Sequence, residues 1–467
     1  MKKAVKALAL ACVLAFVFAC GVFLAACGGN APPGGSENPG GQTQTGGENP
    51  GGEENPGEEE TPGGEENPGE EENPGGEETA QKQLDAFLAA VESDTARYDL
   101  SVAAATVVQG TRQAYDVSVV SDGERAHLRS ESGGTLLQEE YARADGNYRY
   151  FYFWLNGIPA AQTGVTYDGQ GAAATDGIRT VLEFLLGELF RMEGEFWTTF
   201  RAGLRAEGDG VVFSSSAFTK GSVTLAEGRA ELTLEAELPA DGADDSGAAV
   251  TASVLIQDLG TRADVQLSDE AAAAFAAMGE FDRAYARFDW ALGSGEAAIE
   301  GTLGYADGSS GTLTAKLARG EMLLRVASAG AAQYSAILAH GDRFCTVQGA
   351  ENAFFVSDDV PRGVVLSVFD FLMFTEIRKE YFILQDGSDD VLTLSQAGWG
   401  WYTHCRGLQV ACGPDDVFTV TASLDGSADV GYVSSVRLTA AIAEQAEPVA
   451  FPEAITRAHG QYHAEQG

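Results

Sequence analysis

Basic residues are scarce in this chain: 29 Lys and Arg stand against 69 Asp and Glu in 467 residues, a formal charge of −40 at pH 7. Nucleic acids and anionic membrane faces are recognised by basic footprints, so this balance argues against both as partners. Catalytic motifs are missing as well. The sequence holds no HExxH, GxSxG, SxxK or GK[ST] run, which removes the common metalloprotease, serine-hydrolase and phosphate-loop readings. Gly169-Gln170-Gly171 and Gly293-Ser294-Gly295 match the start of a dinucleotide fingerprint, but neither leads from a strand into a βαβ unit, so both are read as loops and no cofactor is expected. The acidic runs 241–247, 386–390 and 425–429 lack the alternating ligands and terminal Glu of a calcium loop. Of only five histidines, His459 and His463 stand at i, i+4 with no third ligand in view, so no metal site is expected. The chain is read as non-enzymatic.

Long apolar runs are also rare. The one that stands out, Ala7 to Ala26, follows Lys2, Lys3 and Lys6 and ends in Leu24-Ala25-Ala26-Cys27-Gly28-Gly29. Its length would suffice for a membrane span. The tetrad resembles the lipobox of bacterial lipoprotein signal peptides, which implies a signal peptide over 1–26 and a lipid-bearing Cys27. The expected location is extracytoplasmic, anchored to the bacterial cell membrane through the N-terminal lipid. Each buried acyl methylene adds about 0.8 kcal/mol to such an anchor.

Residues 30–79 contain 14 Glu and no Lys or Arg, with ENPG starting at Glu37, Glu48, Glu54, Glu66 and Glu72. Proline removes backbone donors, glycine adds chain entropy and like charges repel, so no core can form. Residues 27–80 are read as a disordered acidic linker, of which the fifty residues 30–79 could reach ~155 Å if extended. The remainder is still acidic, with 55 acidic against 26 basic residues.

From residue 81 the pattern is mostly strand. Asp-Gly pairs include those that start at Asp122, Asp145, Asp168, Asp209, Asp241, Asp307, Asp386 and Asp425, and such pairs supply the positive φ that tight hairpin turns need. Residues 230–238 alternate Leu232, Leu234, Ala236 and Leu238 with Glu231, Thr233, Glu235 and Glu237, a half-buried antiparallel strand. Residues 147–154 carry aromatics on both faces. Helical spacing appears over 81–93 (Leu84, Phe87, Leu88, Val91), over 178–190 behind a candidate Asp176 cap, and from Asp269 toward Arg287.

Internal similarity points to two copies of one unit. Tyr98-Asp99-Leu100 matches Phe288-Asp289-Trp290, Ala144-Asp145-Gly146 matches Ala339-His340-Gly341, Val181–Leu186 matches Val368–Met373, and the strand near Val211 matches that near Val391. The expected fold is α+β: two tandem repeats of a curved antiparallel sheet, a half-barrel, packed on a few helices. The repeats cover 81–275 and 276–455, with a tail over 456–467. A single barrel spanning both regions satisfies the same pattern.

The order of opening helix, antiparallel meander, inserted apolar helix and closing strands, with the aromatic run Tyr148 to Tyr152 after Ala144-Asp145-Gly146, resembles the LolA-like and LppX-like lipoprotein carriers. Asn156-Gly157 stands where those carriers have an aspartate-proline turn. The resemblance implies an apolar cavity lined by Tyr148, Tyr150, Tyr152, Trp154, Leu182, Leu185 and Leu186 in the first copy and by Phe369, Phe371, Leu372 and Phe374 in the second. It implies a binder of lipid or another apolar ligand. The alternative is a structural or protein-interaction module of the cell envelope with dry cores, for which Trp399, Trp401 and Tyr402 are contact candidates. Cys405 and Cys412 flank a segment that reads as a hairpin and are candidates for a disulfide. Cys345 either competes for one of them or stays a buried thiol.

Overall fold

The computed structural model describes residues 74–192, 194–239, 247–261, 264–328, 330–340, 343–350, 353–361, 378–395, 405–424, 433–442 and 447–466. Cys27, the linker up to residue 73, Phe369, Phe371, Leu372, Phe374, Trp399, Trp401 and Tyr402 lie outside the described residues. The chain is α+β and dominated by antiparallel sheet.

Helix α1 (Pro74–Glu92) starts seven residues before the expected boundary. Proline is tolerated in a first helical turn, and a Lys82–Glu78 pair at 2.7 Å supports the turn that follows. A six-strand meander comes next: β1 (Arg97–Val108), β2 (Thr111–Asp122), β3 (Arg125–Ser132), β4 (Thr135–Asp145), β5 (Tyr148–Leu155) and β6 (Gln162–Tyr167). Two of its turns are the expected Asp-Gly pairs, with Gly123 at φ 88° and Gly146 at φ 62°. Then follow α2 (Ile178–Phe190), α3 (Phe196–Ala202), the short hairpin β7 (Leu204–Glu207) and β8 (Gly210–Phe213), and the strands β9 (Lys220–Ala226), β10 (Arg229–Leu238) and β11 (Ala248–Gln257). The nine-stranded sheet runs β6-β5-β4-β3-β2-β1-β11-β10-β9. In β10, Leu232, Leu234 and Ala236 are buried as the alternation requires.

The Ala-rich stretch expected as one helix is two, α4 (Asp269–Ala277) and α5 (Glu280–Gly293). Gly279 is extended between them, and its N–H donates to Asp282 Oδ2 at 2.9 Å, which starts a new helix. A second meander follows: β12 (Ala297–Tyr305), β13 (Ser310–Ala318), β14 (Glu321–Ser328), β15 (Ala331–His340), β16 (Arg343–Ala350) and β17 (Ala353–Pro361). The short strands β18 (Phe382–Leu384) and β19 (Val391–Leu394) precede β20 (Cys405–Cys412), β21 (Val417–Leu424) and β22 (Val433–Ile442). The sheet order is β17-β16-β15-β14-β13-β12-β22-β21-β20-β19-β18. Helix α6 (Glu453–Gln466) occupies most of the expected tail and buries Ile455 against Leu338 and Val347.

Both sheets follow one path, in which six meander strands come first and the last strand pairs back onto the first. They are open and uncurled, and no strand of one pairs with a strand of the other among the described residues. A single barrel is therefore excluded for these strands, and the half-barrel curl is not seen. The expected match of Tyr98 to Phe288 fails, because Tyr98 lies in β1 and Phe288 in α5. A three-residue match carries no periodicity and cannot tell strand from helix. The Ala144 and Ala339 segments do occupy equivalent places, at the β4–β5 and β15–β16 turns.

One face of the first sheet packs on α1, α2 and α3 through Leu84, Phe87, Leu182, Leu186, Phe196 and Phe200. The second sheet packs on α5 through Phe288 and Leu292. Capping of α2 differs from expectation. Asp176 does not cap it; Asp94, at φ 51° just after α1, accepts from the N–H groups of Arg179 at 2.8 Å and Thr180 at 3.1 Å. One carboxylate thus joins the end of α1 to the start of α2 and sits where the helix dipole favours negative charge.

Candidate functional site

The expected lining residues of the first copy separate into two groups. Leu182, Leu185 and Leu186 project from α2 into the core formed with α1, β1 and β9–β11, where all three are buried. Tyr148, Tyr150 and Tyr152 lie on β5 in a different cluster, against Ala271 and Phe275 of α4. The aromatic strand and the apolar helix therefore do not face one another across a shared space. Trp154, near the end of β5, is half-buried.

The tyrosines instead help to build a junction between the two sheets, with α5 as its middle layer. Arg283 Nε donates to Tyr150 Oη at 2.7 Å, and its guanidinium also lies near the Tyr148 ring. Arg143 covers the Tyr150 ring at 4.7 Å from the centroid. One helical turn on from Arg283, Arg287 reaches the β20–β21 turn of the second sheet. It donates to Asp416 Oδ1 at 3.1 Å, to the carbonyl of Cys412 at 3.1 Å and to that of Gly413. Tyr167, on β6 of the first sheet, donates to the same Asp416 oxygen at 2.8 Å and receives a bond from Asn147 at 3.2 Å. The Tyr167 ring packs edge-on against Trp290, with centroids 5.2 Å apart. Gly169 admits this contact, since a Cβ there would lie 3.1 Å from the Trp290 ring. Burial pushes the Tyr167 hydroxyl above its ordinary pKa. Asp282 completes the layer by accepting from Lys379 at 2.6 Å.

This arrangement supplies donors, acceptors and ring faces turned on other protein groups, while Arg143 Nε is buried without a hydrogen-bond partner. Its thiol is unsuited to attack: burial pushes Cys412 up to about 12, so the thiolate is negligible at neutral pH. Cys412 is a buried free cysteine. The expected disulfide with Cys405 is corrected by the backbone, because Arg406 to Ala411 is not a hairpin loop. The two cysteines are the first and last residues of the single strand β20. At about 3.3 Å per residue that separation is roughly 20 Å, far beyond the ~7 Å that a disulfide allows.

A gap of about 10 Å³ lies in the second core beside Phe288, Leu292, Ile299 and Phe418, at most about one water in size. A solvent-open hollow of about 620 Å³ lies beside α1, α2 and α3, lined by Glu92, Arg179, Trp197 and Arg201. An Arg201–Glu92 pair at 2.8 Å spans it. Among the described residues, no helix is long and apolar enough to cross a membrane.

Residues able to hold a metal lie away from the junction. His340, at the end of β15, meets His459 and His463 of α6, and the ligand atoms of all three lie within 4.8 Å of one another. Sequence spacing supplied the i, i+4 pair and missed the third histidine, which reaches it only through the packing of α6 on the second sheet.

No protein-family model matches the chain, and no curated protein matches it. Among solved structures, PF-8, the DNA polymerase accessory subunit from Kaposi's sarcoma-associated herpesvirus, aligns over 78% of this chain and 98% of its own at 8% identity, with a TM-score of 0.09. A likeness of that strength carries no argument about fold or function.

Proposed function

We propose that the protein is a lipid-anchored, extracytoplasmic interaction module of the bacterial cell envelope, without enzymatic activity. Two repeats of one sheet-and-helix unit are held together as a single scaffold beyond an acidic tether. The lipobox at Cys27 supports the anchor, and the shared strand path of the two sheets supports the duplication. The observation that carries the reading is the fate of the aromatic strand. Its tyrosines serve the contact with α4 and α5, while Leu182, Leu185 and Leu186 are enclosed in a separate core. A carrier of an apolar chain needs those two surfaces to face one another around a hollow of several hundred Å³. The reading is supported by their packing in separate clusters, and by the lining of the hollow of about 620 Å³, which is Glu92, Arg179, Trp197 and Arg201 rather than either set.

Leu185→Trp tests this reading. Leu185 is only 4% exposed, so in a filled core the larger ring forces neighbours apart and lowers stability by about 1–3 kcal/mol. A hollow would accommodate the ring at little cost, and lipid uptake would fall instead. Unfolding in urea, measured beside uptake from lipid vesicles, separates the two outcomes.

A further inference from the structure

We propose that His340, His459 and His463 form a binding site for one divalent transition-metal cation of the zinc class. The site fastens the terminal helix to the second sheet. It is independent of the junction and of the interaction role.

The argument starts from helix geometry. Residues four apart on a helix share a face, so His459 and His463 project together from α6. That face is set against the sheet by Ile455, fully buried among Leu338, Cys345 and Val347, with Phe451 and Ala458 packed alongside. Leu338 lies two residues before His340 on β15, so the contact that seats the helix also delivers the third imidazole. The His340 and His463 rings stack with centroids 3.6 Å apart, and His459 lies edge-on to both, at 4.6 Å from His463 and 5.4 Å from His340.

Zinc–imidazole bonds of about 2.0–2.1 Å in a tetrahedron place ligand nitrogens roughly 3.3 Å apart. The three ligand atoms, all within 4.8 Å of one another, come to that spacing by rotation of the rings about their own side-chain bonds. The donors are imidazole nitrogens with no carboxylate in the group. That selects zinc, copper or nickel over the oxygen-seeking calcium and magnesium. Three protein ligands leave a fourth position for water or a donor from another molecule.

The test uses the full chain, stripped of metal by a chelator and titrated with Zn²⁺ in a calorimeter. One tight equivalent per chain is expected, and the melting temperature should rise with free Zn²⁺, because a cation that binds only the folded form stabilises it by mass action. Loss of even an outer-sphere partner weakens metal sites by ~10–100-fold, so H340Q, H459Q and H463Q should each weaken binding at least ~10-fold. The triple variant keeps the Glu-rich tract and should lose the tight equivalent. Co²⁺ should give the intense visible bands of a tetrahedral site in the parent and not in the triple variant. A measurement without variants guards against misfolding: Zn²⁺ should protect these three histidines, and not His127, from diethyl pyrocarbonate. The proposal is overturned if the parent binds Zn²⁺ no more tightly than the triple variant, or if Zn²⁺ leaves the three histidines as reactive as before.

Discussion

Replacing Arg287 by Met removes the centre of the junction with little change in side-chain length. Arg287 and Asp416 retain 17% and 22% side-chain exposure, so their pair lies between two limits. Exposed pairs contribute about 0–1 kcal/mol, and stripping one partner from a fully buried pair costs about 3–5 kcal/mol. The carbonyls of Cys412 and Gly413 lose a charged donor at the same time. The guanidinium also lies 5.6 Å from the centroids of Tyr167 and Phe418, contacts of about 0.5–1 kcal/mol each that Met recovers in part. The expected loss is about 2–4 kcal/mol. Asp416→Asn should cost less, about 1–2 kcal/mol, because an amide oxygen still accepts from Arg287 and Tyr167. Urea unfolding of the parent, both single variants and the double variant closes a cycle. Groups in direct contact couple by about 0.5–3 kcal/mol. A loss below about 0.5 kcal/mol for R287M, or strict additivity with D416N, would refute the claim that this pair helps to join the sheets.

Three further outcomes follow from individual contacts. Glu140 is buried and its pKa is raised by that burial, with Arg149, 2.7 Å away, opposing the rise. A carboxyl whose folded pKa exceeds its unfolded value contributes stability at low pH that is lost as pH climbs through the folded pKa. Arg149→Met removes the opposing charge, so its cost, about 3–5 kcal/mol at pH 7, should shrink toward pH 5, as read from urea midpoints across that range. Asp94→Ala removes both N–H contacts at the start of α2 and should cost about 1–2 kcal/mol, with D94N recovering part of the loss in thermal melts. Iodoacetamide at pH 8 should leave Cys345 and Cys412 unmodified in the folded chain and label both in urea; peptide mapping that finds a Cys405–Cys412 link would contradict the strand assignment.

Local chemistry made part of this architecture readable in advance. Asp-Gly pairs marked hairpin turns because Gly123 and Gly146 need positive φ, and alternation along β10 fixed which residues face the core. Long-range packing was not readable. The two-faced aromatic strand suggested a ligand surface, yet Tyr150 and Tyr167 meet Arg283 and Asp416, which lie far along the chain. An arginine on a helix carries no mark of such a partner. The Asp269–Arg287 stretch looked continuous because alanine favours helix throughout, and the break depends on one extended Gly279. Asp176 seemed a cap by position, but Asp94 reaches α2 from the end of another helix. The histidine pair was visible from its spacing, whereas His340 joins it only because α6 folds back over β16 and β17.

We propose that no apolar ligand lies between the Tyr148–Tyr152 strand and the Leu182–Leu186 helix, which pack in separate clusters. The most direct test is native mass spectrometry of the chain from residue 28 onward, so that no anchor lipid is counted, followed by organic extraction after incubation with lipid vesicles. The mass of the polypeptide alone and an extract free of stoichiometric lipid are expected. One or two apolar molecules per chain, retained at defined stoichiometry, would contradict the proposal and assign the protein to the carriers.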